Sequence, residues 1–431
     1  MTSWLDANAV EVVGNGPVVT ALHAPASKSL TNRALLVAAL AAGTSRLSGP
    51  LRSADTEAMI RAVTALGADV SEAQGDLEIV GTAGRLKPAA EPIDAGLSGT
   101  TMRFAAAAGA LSAVPVTLTG LDPLLARPIG PLSAALRDLG AQVKDRDGFP
   151  PITVGGGLTG GPVAVDVSAS SQYLSAVLLA APYADTDVVA TARGQSADAY
   201  IAMTADLMTR WGVAVTETAR GQWQVTAGQG YAARNEVVEY DASAAAHLYA
   251  LAAASGGSVT VTNGAPPTLQ PDARIVDVLE AMGCTVATEE GAVAVTGPSR
   301  LTAVSVDLSA MPDQVTTIAV LAALAEGTSE ISGVGVTRGH ETDRLAALAQ
   351  ELRKVGVGVT ELPDGLRIEG GGARGPATLA TLHDHRLAMS FAALGLAVPG
   401  VVITDPGCVA KTYPGFWDDL IRAGVALRGP A

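Results

Sequence analysis

The stretch Pro25-Ala26-Ser27-Lys28-Ser29-Leu30-Thr31-Asn32-Arg33 is followed by nine uninterrupted apolar residues, 34–42. Serine, threonine and asparagine are typical N-cap residues, so the pattern predicts a buried helix that begins near Ser27. A helix N-terminus carries unpaired N–H groups and partial positive charge. Lys28 and Arg33 add two cations where acids are normally favoured. We therefore expect an anion-binding helix end; the alternative is a solvated cap with two surface cations.

The composition predicts a two-domain cytoplasmic protein. At 431 residues the chain exceeds one ordinary hydrophobic core. Hydrophobic residues make up 48% of it and aromatic residues only 3%, so alanine, valine and leucine must fill the interior. A formal net charge of −14 argues against a nucleic-acid partner or an anionic membrane. Two cysteines cannot form a disulfide framework, and no signal-peptide pattern or membrane-length apolar run is present. We expect a monomer.

An internal repeat organises the chain. A helical segment followed by an apolar residue, glycine and a valine-containing stretch occurs six times. Successive repeat glycines are 73, 72, 71, 73 and 68 residues apart: Gly67, Gly140, Gly212, Gly283, Gly356 and Gly424. Each is predicted to end a helix in a left-handed conformation and to be followed at once by a strand.

The elements around these glycines predict six βαβαββ units. A unit of about 70 residues is longer than a solenoid repeat, so three units per domain fit the usual domain size better. The prediction is an α/β (α+β) fold of two domains. Residues 25–240 hold units one to three, and residues 1–24 with 241–431 hold units four to six plus an N-terminal strand. The segment 237–240 is predicted to lead into the fourth unit.

Basic residues cluster at the predicted starts of elements. Eight of the 28 lysines and arginines lie there: Lys28, Arg33, Arg103, Arg127, Arg338, Arg344, Arg386 and Lys411. In an acidic protein this pattern predicts a pocket for more than one anionic group. Asp313 and Glu341 lie among these cations and are candidates for general acid–base catalysis, or are ordinary acids in a helix first turn.

Other chemistry is not favoured. The run 155–160 matches the dinucleotide-binding glycine pattern, but a predicted strand follows it where a helix is required. His383 and His385 flank an aspartate at a predicted helix start, where capping or hydrogen bonding is favoured over metal binding. We expect neither a cofactor nor a metal.

These motifs together resemble the 5-enolpyruvylshikimate-3-phosphate synthase family over essentially the whole chain. The matching stretches are 27–33, 99–103, 127–130, 170–172, 341–344, 384–389 and 411–412. The resemblance implies an inside-out α/β barrel in each of two domains, with the active site in the interdomain cleft. It implies transfer of the enolpyruvyl group of phosphoenolpyruvate to the 5-hydroxyl of shikimate 3-phosphate through a tetrahedral intermediate, with release of phosphate.

The resemblance also assigns roles to individual residues. Those implied to bind phosphoenolpyruvate are Lys28, Gly99, Arg127, Gln172, Arg344, Arg386 and Lys411. Those implied to bind shikimate 3-phosphate are Lys28, Ser29, Arg33, Ser170, Ser171, Gln172, Asp313 and His340. Asp313 is the implied base for the 5-hydroxyl, and Glu341 or Lys28 the implied acid for the methylene carbon.

Several positions depart from the family pattern. Ala26, Leu97, Val336 and His340 stand where the family commonly has glycine, asparagine, asparagine and lysine. Ser196 lies near the expected phosphate-binding serine, although counting back from Tyr200 places Ala197 at that position. The departures affect affinity and pH dependence. Because Gly99 is retained, we expect glyphosate to inhibit in competition with phosphoenolpyruvate.

Two rival functions can be tested. The UDP-N-acetylglucosamine enolpyruvyl transferases share the architecture but carry a reactive cysteine before the arginine that corresponds to Arg127, and the first cysteine of this chain is Cys284. A non-catalytic anion-binding repeat protein has no need of Asp313 or Glu341 among its cations.

Overall fold

The computed structural model describes residues 4–87, 89–194, 198–264 and 268–429. The chain divides into two compact units. The continuous unit comprises Ala26–Glu239, and the discontinuous unit comprises Met1–Pro25 together with Tyr240–Ala431. Within the described residues, no helix is long and apolar enough to cross a membrane.

The α-helices are numbered in chain order. They are α1 Lys28–Leu40, α2 Ala54–Ala65, α3 Gly99–Gly109, α4 Asp122–Leu125, α5 Gly130–Asp138, α6 Gln172–Ala180, α7 Asp198–Arg210, α8 Ala242–Ser255, α9 Ile275–Ala281, α10 Val315–Leu324, α11 Arg344–Lys354, α12 His385–Ala397 and α13 Phe416–Arg422.

The β-strands are numbered in the same way. They are β1 Ala9–Val13, β2 Val19–Leu22, β3 Thr44–Ser48, β4 Asp69–Ala73, β5 Asp76–Val80, β6 Ile93–Asp94, β7 Val116–Thr119, β8 Gln142–Arg146, β9 Phe149–Gly155, β10 Gly161–Asp166, β11 Val188–Arg193, β12 Val215–Ala219, β13 Gln222–Val225, β14 Asn235–Val237, β15 Ser258–Val261, β16 Thr285–Glu289, β17 Ala292–Thr296, β18 Ser305–Asp307, β19 Thr328–Ser332, β20 Gly358–Leu362, β21 Gly365–Glu369, β22 Ala377–Leu379, β23 Val401–Thr404 and β24 Ala426–Arg428.

The strands of the described residues form six four-stranded sheets with one shared topology. The continuous unit contains β14-β3-β5-β4, β6-β7-β9-β8 and β10-β11-β13-β12, and the discontinuous unit contains β2-β15-β17-β16, β18-β19-β21-β20 and β22-β23-β1-β24. In each sheet the first two strands are parallel and the other neighbours antiparallel; β10 pairs with β11 from Gly161↔Val188 to Asp166↔Arg193. A helix between parallel strands and a hairpin at the end give the βαβαββ order. The predicted two-domain α/β fold is confirmed, and the sheets are consistent with the inside-out barrel.

Three sheets differ from the predicted contiguous repeats. The parallel edge of the first sheet is β14, which follows the third unit, and the segment 237–240 runs from the end of this strand toward α8. In the fourth sheet, β2 provides this edge strand. In the sixth, β1 replaces the second strand of the closing hairpin. A repeat pattern identifies units along the chain. It does not identify which strand from elsewhere in the chain pairs with the strands of a given unit.

The six repeat glycines have φ between +80° and +107°. A residue with a Cβ atom is strained in this region, so glycine is required where the helix stops and the chain turns into the next strand. The predicted left-handed turn is therefore confirmed at all six positions. This turn ends the second helix of each unit and places the next strand directly after it, although the second helices range from 7 residues in α9 to 13 in α7.

The first helix of each unit is the buried one. In the continuous unit α3 packs on α1 and α6, and in the discontinuous unit α8 packs on α10 and α12. These helices are buried on nearly all sides; in α10, every residue from Val315 to Ala323 is buried. Alanine-rich surfaces allow such close packing, as the low aromatic content predicts. Polar residues are concentrated at or just before the N-termini of these helices, where the sequence predicts binding groups.

Candidate functional site

The N-terminus of α1 carries the first predicted site residues. Ser27 caps the helix, and its side-chain oxygen accepts a hydrogen bond from the backbone N–H of Leu30. The predicted helix start is therefore confirmed. The ammonium of Lys28 lies 3.6 Å from Oδ2 of Asp55, in the first turn of α2. The side chain of Lys28 is 16% exposed and that of Asp55 4% exposed, so the pair lies at the edge of the interior.

Arg33 is directed into the continuous unit. Its Nε donates to Oγ1 of Thr204 at 2.8 Å, and its terminal nitrogens donate to the carbonyls of Ser29 at 3.0 Å and Tyr200 at 3.4 Å. The guanidinium carbon lies 5.2 Å from the ring centroid of Phe104. Burial lowers the pKa of Arg33 to about 10. The sequence predicts an anion between Lys28 and Arg33, whereas protein acceptors already hold this guanidinium.

A second group of predicted residues surrounds the N-terminus of α3. We call Gly99, Arg103, Arg127, Ser170 and Gln172 the Gly99 cluster. Arg103 Nη1 donates to Oε1 of Gln172 at 2.7 Å and to Oγ of Ser170 at 3.4 Å. A Cβ atom added at Gly99 would lie 3.1 Å from Nη1 of Arg127 and 3.3 Å from Nη1 of Arg103. The absence of a side chain at Gly99 thus leaves room for two guanidiniums beside a helix N-terminus, which favours an anion.

Neighbouring contacts orient the Gly99 cluster. Ser98 caps α3 by accepting from the backbone N–H of Thr101 at 3.2 Å. The amide nitrogen of Gln172 lies 3.3 Å from Oγ1 of Thr100. The hydroxyl of Tyr173 donates to the carbonyl of Pro128 at 2.7 Å, which fixes the loop after Arg127 against α6. Ser171 precedes the first residue of α6 and is its N-cap, without a side-chain capping bond.

The discontinuous unit brings seven polar residues together, which we call the carboxylate–arginine cluster. They are Asp313, His340, Glu341, Arg344, Asp384, Arg386 and Lys411. Arg344 is central and only 1% exposed. It donates from Nε to Asp384 at 2.7 Å, from Nη1 to Asp313 at 2.7 Å and from Nη2 to Glu341 at 3.0 Å. Burial opposes its charge, but these carboxylates outweigh burial and raise the pKa of Arg344 above its ordinary value.

Asp313 bridges two arginines. Its Oδ1 lies 2.7 Å from Nη1 of Arg344, and its Oδ2 lies 2.8 Å from Nη2 of Arg386. It belongs to the helical turn Pro312–Gln314 just before α10. Burial alone would raise the pKa of Asp313, but the charges of Arg386 and Arg344 hold it well below its ordinary value. Asp313 is therefore a carboxylate held in a fork of two guanidiniums, a geometry that arginine side chains favour.

His340 lies against the same fork. Its Nδ1 is 3.2 Å from Nη1 of Arg344 and 3.4 Å from Oδ1 of Asp313. Burial lowers the pKa of His340; the hydrogen bond with Asp313 opposes this shift, and the charge of Arg344 adds to it. His340 is thus a neutral imidazole at pH 7.

Glu341 and Lys411 complete the carboxylate–arginine cluster. The Nζ atom of Lys411 lies 3.6 Å from Oε1 of Glu341, while Oε2 of Glu341 accepts from Arg344. The side chains of Glu341 and Lys411 are 16% and 9% exposed. Lys411 ends the helical turn Pro406–Lys411.

Some residues predicted to lie in the pocket have other surroundings. Arg338 donates to Asp343 at 3.0 Å and to Glu361 at 2.6 Å, and its charge is satisfied there. Ser196 and Ala197 lie outside the described residues. Within the described residues, no group of three or more histidines, cysteines, aspartates and glutamates has an arrangement that could hold a metal ion.

Sequence reasoning did not assign roles to Asp384 and Asp55. Asp384 caps α12 and accepts from the backbone N–H of Arg386 at 2.9 Å, while the same carboxylate binds Arg344. Its signals in the sequence are the N-cap position and the matching stretch 384–389, and a cap rarely indicates a second partner far along the chain. Asp55 has the signature of an ordinary first-turn acid, and its proximity to Lys28 depends on how α1 and α2 pack.

Comparisons with known proteins identify the family of the chain. The model of the family "EPSP synthase (3-phosphoshikimate 1-carboxyvinyltransferase)" matches residues 12–420. A 3-phosphoshikimate 1-carboxyvinyltransferase of Methanoculleus marisnigri is 43% identical over 420 residues, which cover 96% of this chain and 99% of that protein. One from Nostoc punctiforme is 41% identical over 409 residues, covering 94% and 96%. A solved EPSP synthase from Acinetobacter baumannii matches with a TM-score of 0.81 and 26% identity, covering 97% of this chain and 99% of that one. The chain belongs to the EPSP synthase family.

Proposed function

We propose that the Gly99 cluster, Lys28 and the carboxylate–arginine cluster perform the reaction of this family in the present chain. As a family member, the chain is a transferase of the shikimate pathway that moves an enolpyruvyl group from phosphoenolpyruvate to shikimate 3-phosphate. Family membership favours this reaction over the UDP-N-acetylglucosamine alternative and over a non-catalytic repeat protein. The residue roles below are our proposal.

The observation that carries the proposal is the fork formed by Arg344 and Arg386. Both guanidiniums already bind one carboxylate, that of Asp313, at 2.7 and 2.8 Å. The pair is therefore spaced to grip a carboxylate, and we assign it to that of phosphoenolpyruvate. We assign the rest of phosphoenolpyruvate to Lys28, Gly99, Arg127, Gln172 and Lys411. The three cations in this set bind its phosphate.

The acceptor substrate uses a different set of groups. We assign Ser29, Ser170, Ser171, Gln172, Lys28, Asp313 and His340 to shikimate 3-phosphate. Arg33 is assigned to the same substrate, although its described donors bind protein acceptors. Serine hydroxyls and helix N–H groups suit a phosphate, and Asp313 suits a hydroxyl that must lose its proton.

The chemistry then follows from the charges. Asp313 accepts the proton of the 5-hydroxyl as its oxygen bonds to C2 of phosphoenolpyruvate, and Glu341 or Lys28 donates a proton to C3. The resulting tetrahedral intermediate loses phosphate and a proton from C3. This loss restores the double bond and gives the enol ether product. Lys28, Arg127 and Lys411 stabilise the phosphate as it leaves, since charge builds on its oxygens.

A direct assay tests the proposed function. The purified protein is mixed with shikimate 3-phosphate and phosphoenolpyruvate, and the release of phosphate and the new enol ether are measured. Lys28→Ala purified in the same way controls for a contaminating host enzyme and should be inactive. Replacing the acceptor by UDP-N-acetylglucosamine should give no product. Absence of phosphate release under all conditions would contradict the proposal and favour a non-catalytic protein.

We also propose that the protein acts as a cytoplasmic monomer. Sedimentation of the purified protein checks the oligomeric state.

Gly99→Ala should raise the KM for phosphoenolpyruvate by about 10-fold with little change in folding, since even small misplacements of catalytic groups are costly. The new methyl group would lie 3.1 Å from Arg127, so this guanidinium must shift away from α3. Glyphosate inhibition, expected to compete with phosphoenolpyruvate in the parent protein, should weaken as well.

Gly109→Ala is the matched control for Gly99→Ala. It adds a methyl group to the same helix, 3.0 Å from the side chain of Val154 in the core. It should lower the free energy of unfolding by about 1–3 kcal/mol through overpacking and leave the KM for phosphoenolpyruvate unchanged. Equal KM values for Gly99→Ala and the parent protein would contradict the assignment of Gly99.

His340 should make the binding of shikimate 3-phosphate depend on pH. Because burial lowers its pKa, the imidazole is neutral at pH 7 and gains charge only at lower pH. The KM for shikimate 3-phosphate should therefore fall about fivefold as the pH is lowered from neutral through the lowered pKa of His340, because one charge-assisted contact forms. His340→Gln should lack this fall. The substrate phosphate also titrates near pH 6, but it does so equally with both proteins. Identical pH profiles would exclude a phosphate contact by His340.

A further inference from the structure

One buried carboxylate outside the assigned residues faces a catalytic candidate. Oδ2 of Asp55 lies 3.6 Å from Nζ of Lys28, and the Asp55 side chain is only 4% exposed. A buried carboxylate is costly unless a partner compensates its charge, and breaking such a pair is strongly unfavourable. The pair is therefore more than one of the loose ion pairs found on protein surfaces.

The surroundings of Asp55 fix its position. Ser53 and Thr56 form a capping box at the start of α2, with the backbone N–H of Ser53 donating to Oγ1 of Thr56 at 2.9 Å. The backbone carbonyl of Asp55 accepts from Oγ1 of Thr101 at 3.4 Å. Oγ1 of Thr101 also lies 2.9 Å from Oγ of the α3 cap Ser98. Asp55 is thus held between the start of α2 and the N-terminus of α3, the helix that begins at Gly99.

The ordinary explanation for such a residue is an acid that interacts favourably with the helix dipole. Glu57 lies in the same first turn and fits that explanation, since its side chain is 38% exposed and pairs with Arg52 at 2.6 Å. Asp55 differs in two respects. It is buried, and its partner is the lysine at the first position of α1, where the substrates are proposed to bind.

We propose that Asp55 is the positioning residue for Lys28 and directs its ammonium toward the N-termini of α1 and α3. This inference rests on the proposed function for the role of Lys28. An ammonium has three N–H donors, and the contact with Asp55 sets the direction in which Lys28 presents them to phosphoenolpyruvate. Asp55 acts through Lys28 and does not touch the reacting atoms.

Asp55→Asn and its control Glu57→Gln separate this role from a helix-dipole effect. Both variants remove one carboxylate from the same turn of α2 and keep a side chain of similar size. We expect Asp55→Asn to lower kcat/KM for phosphoenolpyruvate by about 10- to 100-fold, because Lys28 is no longer directed. Glu57→Gln should keep the parent kinetics. Asp55→Glu, which retains the charge, should recover part of the loss.

A second measurement does not depend on turnover. Each protein is treated with a limiting acylating reagent, and the modified fraction of Lys28 is measured by peptide mass spectrometry. The contact with Asp55 holds Nζ in one direction. Loss of this contact should make the amine more accessible to the reagent, so Lys28 should react several-fold faster in Asp55→Asn than in the parent protein or in Glu57→Gln. Lys144, a lysine of β8 in the same unit, reports any general change in reactivity.

The outcomes are distinct. Faster acylation of Lys28 with reduced kcat/KM supports the positioning role. Faster acylation in a chain that shows no transferase activity would support the contact and contradict the proposed function. Unchanged acylation and kinetics would overturn the inference. If Asp55→Asn does not fold, Asp55→Ser provides the same comparison, and parent-like acylation and kinetics in this variant without a carboxylate would also overturn the inference.

Discussion

Arg344→Met should abolish detectable transferase activity and lower the free energy of unfolding by about 3–5 kcal/mol. Arg344 is 1% exposed and is bound by Asp384, Asp313 and Glu341. Methionine fills a similar space but leaves the carboxylate of Asp384, which is fully buried, without this guanidinium. Loss of one partner of a buried charge pair is costly because the other charge stays in a poorly solvating environment. Denaturant unfolding and steady-state kinetics measure the two effects.

Arg367→Met is the control for this prediction. Arg367 and Glu330 pair on the surface of the same unit at 2.9 Å, with side chains 52% and 46% exposed. Exposed pairs contribute about 0–1 kcal/mol, so this variant should keep both stability and activity. If Arg344→Met were no less stable than Arg367→Met, the carboxylate–arginine cluster would not be a structural core of the discontinuous unit.

Asp313→Asn should reduce kcat by about 10²- to 10⁴-fold while the affinity for phosphoenolpyruvate is kept or increased. The two effects have separate causes. Asparagine cannot accept the proton of the 5-hydroxyl. It also no longer places a negative charge on Arg344 and Arg386, for which the substrate carboxylate must otherwise compete. Steady-state kinetics and equilibrium binding of phosphoenolpyruvate measure the two effects.

The pH dependence of stability gives an independent check on Asp313. Its pKa in the folded protein is well below its ordinary value, because the charges of Arg386 and Arg344 outweigh burial. The carboxylate therefore stabilises the fold above about pH 4, and this contribution is lost as the pH falls through the lowered pKa. Asp313→Asn should show a shallower loss of stability below pH 4 than the parent protein.

Asp307→Asn is the matched control for Asp313→Asn. Asp307 lies six residues earlier, and its Oδ1 accepts from the backbone N–H of Ser309 at 2.7 Å, a bond that asparagine can also accept. This variant should keep the parent kcat. A kcat reduced equally by both substitutions would indicate a general effect of lost charge, and weaker binding of phosphoenolpyruvate to Asp313→Asn would contradict the competition.

Much of the fold could be predicted because its signals are local. A glycine such as Gly356 ends a helix for reasons contained in its own φ angle, and Ser27 caps α1 through a residue three positions away. Such features recur in every unit, so six copies strengthen one another. Residues 1–24 could be assigned to the later domain because they were left over from the repeats. Which sheet β14, β2 and β1 each join leaves no local signal, because strands pair through backbone groups that all residues share.

The site residues show the same difference between features with a local sequence signal and features that depend on tertiary packing. Motif positions such as Arg386 and Gln172 could be identified along the chain, but not the partner of each side chain. Arg33 and Lys28 are five residues apart and look alike in sequence; packing of Phe104 and Thr204 holds one in the interior, while Asp55 faces the other. Arg338 has the same position before a helix as other predicted cations, yet nearby acids satisfy it. The partner of a charged side chain depends on tertiary packing, which the local sequence does not specify.

The position of β1 in its sheet affects the order in which the chain folds during synthesis. This strand is made among the first residues, yet its neighbours β23 and β24 are made among the last. The continuous unit can complete its contacts while translation proceeds, whereas β1 stays unpaired until β23 and β24 have been made. Closing so long a loop is entropically costly and slow. Refolding should therefore show two separable phases. The first is the folding of the continuous unit, and the second, slower one is the pairing of β1 with β23 and β24.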